Sequence, residues 1–342
     1  MKIRENVPIA KLTTMRLGGP ARFVLEIEQE SDIAEAYAFA KKHNLPAYVL
    51  GGGSNIIGRD GGYDGVIIVN HLLGMGEVAP EKGKKIQMWA ASGEALDDFV
   101  RYTTKYGWSG MEALSAIPGT VGAAPVQNVG AYGQEIADTL VSVDAYDTKT
   151  DQIVTLSKNE LGLGYRRSIF NHGEDVGRYF ITKIVVELKR TQLEPPFYNS
   201  LQKYIDEQGI DEYTPENIRK AIHAVRDSKL PNPEFIASSG SFFKNVYLKE
   251  EEIPAAEKKG IPVWDGGKIP SGWLVENAGL KGKLIHGMRV WDKASLVLVN
   301  EDAKNYANLA AAREEIIQTV KDKYGFTLEQ EPMELGEEWV KS

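Results

Sequence analysis

Between Ile117 and Gly133 the chain reads Ile-Pro-Gly-Thr-Val-Gly-Ala-Ala-Pro-Val-Gln-Asn-Val-Gly-Ala-Tyr-Gly, with no charged side chain. Glycine inside a helix or strand costs roughly 0.5–1 kcal/mol relative to alanine. A run this rich in glycine and proline is therefore a loop, and its bare backbone lets something come close. Two readings fit such a run: a loop buried against a planar or phosphorylated ligand, or a glycine-rich surface loop. A second, shorter cluster, Gly51-Gly52-Gly53-Ser54-Asn55, follows directly on the apolar run Leu45–Leu50.

At 342 residues the chain exceeds what one hydrophobic core usually serves, so two or three lobes are expected. Its 34 glycines exceed the ordinary share of roughly 7%, and their concentration in loops points to sites lined by backbone. A net charge of −8 argues against general nucleic-acid binding, which needs surplus cations to neutralise phosphates. The absence of cysteine excludes disulfides, thiolate metal sites and cysteine nucleophiles. The five histidines are dispersed with no His-x-x-x-His pair, so no metal site is expected. No apolar run approaches the roughly 18–20 residues needed to cross a bilayer, and Met1–Glu5 carries no apolar signal core. The expectation is a cytoplasmic protein, monomeric and without membrane insertion.

The local pattern builds α/β lobes. Phe23–Ile27 reads as a strand, and Ser31 stands as an N-cap for a helix closing at Lys41, Lys42 and His43. Leu45–Leu50 and Val66–Asn70 are further strands. A helix is expected over Glu94–Tyr106, with Leu96, Phe99, Val100 and Thr103 on one face and Gly107 as its stop. Val141–Tyr146 and Ile153–Leu156 flank a hairpin turn, and Phe180–Leu188 alternates as a longer strand. Thr191–Tyr213 is a long connector with a short helix after Ser200, either a binding element or a solvated link. Thr214-Pro215 starts a helix running to about Asp227. Ser295–Asn300 reads as a strand, a helix runs to Tyr324 with Gly325 as its stop, and Phe326–Glu331 is strand-like.

Two nucleotide fingerprints are missing. No Gly-x-x-x-x-Gly-Lys-Ser/Thr occurs, since Gly266-Gly267-Lys268 is followed by Ile269, and no Gly-x-Gly-x-x-Gly opens a helix. Two glycine loops in successive lobes can nevertheless present free N–H groups to a diphosphate, and a dinucleotide lying between the lobes would use both.

Those two loops, with Gln127–Gly133, resemble the UDP-N-acetylenolpyruvoylglucosamine reductase family. The resemblance continues in order through Gly164-Tyr165-Arg166-Arg167-Ser168, Gly240–Asn245, Gly272-Trp273-Leu274 and Leu328-Glu329-Gln330-Glu331. It implies an α+β FAD-binding fold like that of vanillyl-alcohol oxidase, with two FAD lobes at 1–71 and 72–225, the second including an insertion at 191–213. A third, substrate-binding lobe spans 226–342. FAD is expected to be dissociable, because the segment before Ser54 lacks a histidine for covalent attachment. NADPH would be the co-substrate and UDP-N-acetylglucosamine enolpyruvate the substrate.

By the same resemblance Arg166 and Glu331 hold and polarise the substrate carboxylate, and Ser241 is the general acid. Gly51, Gly52, Gly53, Ser54, Asn55, Pro118, Gly119, Thr120, Gly122, Ala123 and Arg226 fall at cofactor positions. Tyr132, Tyr165, Tyr198, Lys229 and Asn245 fall at substrate positions, Tyr198 within the insertion of the subclass whose tyrosine closes over the nucleotide. Arg167 and Met333 depart from the family pattern. A flavin oxidase of the same fold, a sugar-nucleotide sensor without flavin, and a Rossmann dehydrogenase are the competing readings.

Overall fold

A computed structural model describes residues 1–336; the end of the expected third lobe, positions 337–342, lies outside them. The first sheet places Lys2–Pro8, Pro20–Ile27, Tyr63–Asn70 and Ala47–Leu50 side by side in that order. The outer pair at one edge is antiparallel, while Pro20–Ile27 and Ala47–Leu50 both run parallel to Tyr63–Asn70. Parallel strands are covered on both faces, and Val66, Ile67 and Ile68 are accordingly all buried. The helix Ser31–Lys42 lays Ile33, Ala36 and Ala40 on this sheet. Its N-cap is Glu30, not Ser31, which is already the first helical residue. The Asp32 carboxylate in the first turn folds back on the entering chain, accepting from the Glu28 and Gln29 N–H groups at 3.2 and 3.3 Å.

The second sheet is antiparallel, in the order Gln152–Ser157, Leu140–Asp147, Tyr179–Lys189, Lys85–Ala91, Met75–Glu77. Against it packs the helix Leu96–Lys105, with the four expected face residues buried. The Thr191–Tyr213 connector contains the helix Asn199–Gln208. Its Leu201 and Ile205 pack with Ile218, Ala221 and Ile222 of the helix Pro215–Lys229. Burial of those side chains docks the connector instead of leaving it solvated. Thr214 caps that second helix, its hydroxyl accepting from Asn217 N–H at 3.2 Å. The helix is continuous through position 225, so a division between 225 and 226 falls inside it.

The third sheet runs Ser238–Ser241, Val297–Asn300, Met288–Val290, Leu284–Ile285, all antiparallel. The helix Tyr306–Tyr324 buries Leu309, Ile316 and Val320 and ends at Gly325, whose φ of 84° suits a left-handed cap. The expected strand over 326–331 does not form. Gln330 makes only a single bridge to Phe243, and the strand lies later, at Met333–Leu335.

That late strand leaves its own lobe and pairs in parallel with Ile56–Gly58. The Glu334 side chain anchors the return, accepting from Arg59 Nε at 2.9 Å and Tyr306 Oη at 2.7 Å while also pairing with Arg313. Burial acts to raise the Glu334 pKa, but these hydrogen bonds and cations hold it below the usual carboxylate range. A depressed carboxyl contributes stability above its unfolded pKa and loses it as pH falls through the folded value. Glu334→Gln should therefore destabilise the protein by about 1.5–3 kcal/mol near neutrality, the range of hydrogen bonds to a charged group. The difference from wild type should shrink in denaturant titrations as the pH drops below about 4.

Candidate active site

The strand Ala47–Leu50 delivers Gly51–Asn55 at the carboxyl end of a parallel pair, where open α/β sheets place their ligands. The second loop is held from below: Val121 N–H donates to Glu94 O at 2.8 Å and Gly122 N–H to Ser92 O at 2.9 Å. The two loops then meet. Ser54 Oγ donates to Pro118 O at 3.0 Å, and Asn55 Nδ2 donates to Gln127 Oε1 at 2.9 Å.

Glycine here serves the approach of protein to protein. A Cβ on Gly52 would stand 2.9 Å from Gly119 Cα, and one on Gly122 would stand 2.5 Å from Ser92 Cβ. The close neighbour inferred from the sequence is thus in large part the other loop, not only a ligand. Among the described residues, the N–H groups of Gly52, Gly53, Ser54 and Asn55 donate to no protein acceptor. Consecutive free N–H groups form an anion cradle, as a cofactor diphosphate requires.

All eleven expected cofactor positions line one cavity with about 1700 Å³ free of atoms, its open mouth included. Arg226 enters from the helix Pro215–Lys229, its Nε donating to Ala116 O at 3.2 Å. Burial pulls its guanidinium below the ordinary pKa, opposed by the adjacent Tyr132 phenol.

Arg166, Ser241 and Glu331 line the same cavity. Glu331 is brought there by the chain's return path: its N–H donates to Phe242 O at 2.9 Å, and Met333 N–H donates to Asn55 O at 3.0 Å. Three residues thus join the Ser241 strand to the first glycine loop. Arg166 has a φ of 53°, in the left-handed region, and its Nε stands 2.7 Å from Glu331 Oε1. The N–H is not aimed along that line and makes no aligned hydrogen bond, so the contact is primarily one of charge. Burial raises the Glu331 pKa while Arg166 opposes the rise. The carboxyl is 8% exposed and the guanidinium 16%. A second carboxylate brought beside Arg166 would find a cation and a carboxyl whose pKa burial has raised.

The expected substrate residues stand outside the cavity wall. Tyr165 Oη accepts from Asn245 N–H at 3.1 Å, and Asn245 Oδ1 accepts from Ser271 N–H at 3.1 Å. Tyr132 and Tyr198 meet ring edge to face with centroids 5.6 Å apart. Lys229 gives its carbonyl to Trp291 Nε1 at 2.9 Å, and among the described residues its ammonium makes no ion pair. Of the two departures, Met333 lines the cavity and Arg167 does not. Sequence reasoning missed Tyr37, Tyr48, Tyr179 and Ser239 on the cavity wall. The tyrosines lie in ordinary helix and strand positions, and only packing turns them to the cavity.

A family model described as FAD binding domain matches residues 21–157, and one described as UDP-N-acetylenolpyruvoylglucosamine reductase, C-terminal domain, matches 232–335. The reductase of that name from Chromobacterium violaceum is 35% identical over 341 residues, covering 97% of this chain and 99% of the relative. The one from Pseudomonas putida is 35% identical over 337 residues, covering 96% and 98%. The crystal structure of the reductase from Thermus caldophilus shares the fold, with a TM-score of 0.66 at 23% identity over 98% of this chain and 100% of that one. With its glycine-loop cradle, the protein is an FAD-dependent oxidoreductase of α+β fold. The chain belongs to the UDP-N-acetylenolpyruvoylglucosamine reductase family, whose reductant is NADPH.

Gly122 allows a direct test of the loop packing. Its φ is not left-handed, so an added methyl acts by crowding Ser92 alone. Gly122→Ala should cost about 1–3 kcal/mol of stability and lower the flavin content of the purified protein, read as the ratio of visible to ultraviolet absorbance.

Proposed function

We propose that this chain reduces UDP-N-acetylglucosamine enolpyruvate to UDP-N-acetylmuramate, a peptidoglycan precursor, using NADPH and with Ser241 as proton donor. The reading is supported by Arg166, Glu331 and Ser241 all lining the cavity that the two glycine loops border, with Arg166 Nε 2.7 Å from Glu331 Oε1. Gly51–Asn55, Pro118–Thr120, Gly122, Ala123 and Arg226 would hold FAD without a covalent bond. When bound, FAD supplies a hydride taken from NADPH to the terminal enolpyruvyl carbon.

The residues answer a specific chemical difficulty. An enol ether is electron-rich and accepts hydride only if its carboxylate takes up the developing charge. Arg166 supplies the positive field for that carboxylate, in a site largely shielded from water. Burial raises the Glu331 pKa against the opposing charge of Arg166, which eases the sharing of a proton with the substrate carboxylate. Ser241 Oγ–H then delivers a proton to the carbon next to the carboxylate, which is strongly basic in the enolate-like state, and solvent restores the hydroxyl. Hydride at one carbon and proton at the other complete the reduction.

Tyr132, Tyr165, Lys229 and Asn245 are read as the surface for the UDP moiety. Tyr198 is 40% exposed at the start of the helix Asn199–Gln208, its ring resting on Tyr132. This supports a closing role over the nucleotide. Among the described residues no helix is long and apolar enough to cross a membrane, and we read the chain as a cytoplasmic monomer.

Anaerobic flavin absorbance tests the whole scheme: NADPH should bleach the protein, and the enolpyruvyl sugar nucleotide should restore the colour. Bleaching that substrate leaves unreversed would remove the proposal. Ser241→Ala should keep the rate of bleaching and slow recovery by about 10²- to 10⁴-fold; the opposite pattern would assign Ser241 to the NADPH step. Tyr198→Phe should weaken UDP-sugar binding about three- to tenfold, the range of one lost hydrogen bond. Unchanged affinity would return the 191–213 segment to the status of a structural link.

A further inference from the structure

We infer that Ser239 is a flavin-positioning residue, its hydroxyl donating a hydrogen bond to an acceptor atom on the polar edge of the flavin ring. The observation is a mismatch between burial and bonding. Ser239 is 5% exposed and lines the cavity, yet among the described residues its Oγ has no hydrogen-bond partner. Buried hydroxyls are nearly always satisfied, so this one awaits a partner from within the cavity.

The course of the strand places Ser239 within the cavity. Ser238 pairs with Val299 and Ser241 with Val297, which leaves one extra residue on the serine strand. Gly240, at φ 68°, takes up this bulge, and bulges re-aim side chains beside active sites. Upstream, the strand is stitched to the first glycine loop through Thr14. Thr14 N–H donates to Gly53 O at 3.1 Å, Ser238 N–H donates to Thr14 O at 3.1 Å, and Thr14 Oγ1 donates to Ser238 O at 2.6 Å. Downstream, Phe242 O accepts from the Glu331 N–H. Ser239 therefore sits between the cofactor wall and the reacting residues.

The inference rests on the reading of Ser241 given above: if Ser241 meets carbon atoms reduced by flavin hydride, the hydride-bearing ring lies beside it, within the span of Ser239. The polar edge of that ring offers several oxygen and nitrogen acceptors against one N–H donor, so the serine hydroxyl donates. Reduction turns the hydride-accepting nitrogen into an N–H donor but adds electron density to the carbonyl oxygens and the other acceptor nitrogen, so a hydroxyl donating to one of these stabilises the reduced ring more than the oxidised one.

Ser239→Ala is the test, made on the full chain with FAD. FAD dissociation should rise about three- to tenfold, the visible flavin bands should shift, and the midpoint potential should become more negative against a reference dye. The thermal midpoint of the apoprotein should stay level or rise, because the substitution deletes an unsatisfied buried hydroxyl. Ser239→Thr, which keeps the hydroxyl, should restore the potential. Unchanged FAD affinity together with an unchanged potential would overturn the inference. So would a drop in apoprotein stability that accounts for the lost affinity, since a merely structural serine would behave that way. Failure of wild-type protein to bind FAD would instead strike at the cofactor assignment itself.

Discussion

The site depends on the close approach of two glycine loops. A side chain on Gly52 would strike Gly119 Cα at 2.9 Å and one on Gly119 would press on Ser54 Oγ at 3.0 Å, and Ser54 and Asn55 then fasten the first loop to Pro118 and Gln127. The loops belong to different sheets, so this contact joins the first sheet to the second. It also leaves the N–H groups of Gly52–Asn55 facing the cavity without protein acceptors. One geometric constraint therefore serves both assembly and anion recognition. Orphaned backbone donors cost free energy until they are satisfied, which ties the apoprotein's local stability to its cofactor.

A second constraint brings the chemistry to that cavity. The chain bridges to Phe243 at Gln330, places Glu331 beside Arg166, and ends its described course as a strand on Ile56–Gly58. Glu331 is consequently fixed from two sides, through Phe242 O and through the Met333 contact with Asn55. A buried carboxyl on a freely moving tail would turn to solvent to escape desolvation. Pinned by backbone bonds and by the Glu334 cluster, it remains beside a buried cation instead. The perturbed acid thus follows from the topology.

Much of the fold was legible in local pattern. The helix Leu96–Lys105 buries the face that its apolar spacing marks, Thr214 starts a helix with its hydroxyl, and Gly325 ends one with its left-handed backbone. Ser31 misled because the helix begins one residue earlier than its hydroxyl would require, and the Asp32 carboxylate instead ties down the approaching chain at Glu28 and Gln29. The segment 326–331 misled for a different reason. Its alternation suits a strand, but the available edge belongs to Ile56–Gly58, and only Met333–Leu335 reaches it.

By itself the sequence determined the chemistry on offer: two uncharged glycine loops, an arginine after tyrosine, a serine in Gly-Ser-Phe-Phe, and a glutamate near the end. Those identities are local, and the order of the motifs carried the family resemblance. Tertiary structure alone decided that the glycines make room for neighbouring protein segments, that Met333 forms cavity wall, and that Ser239 is buried without a partner among the described residues. Each of these is a property of distance between segments far apart in the chain. No propensity or spacing encodes such a distance, because it is set only when the three sheets pack and the last strand returns to the first.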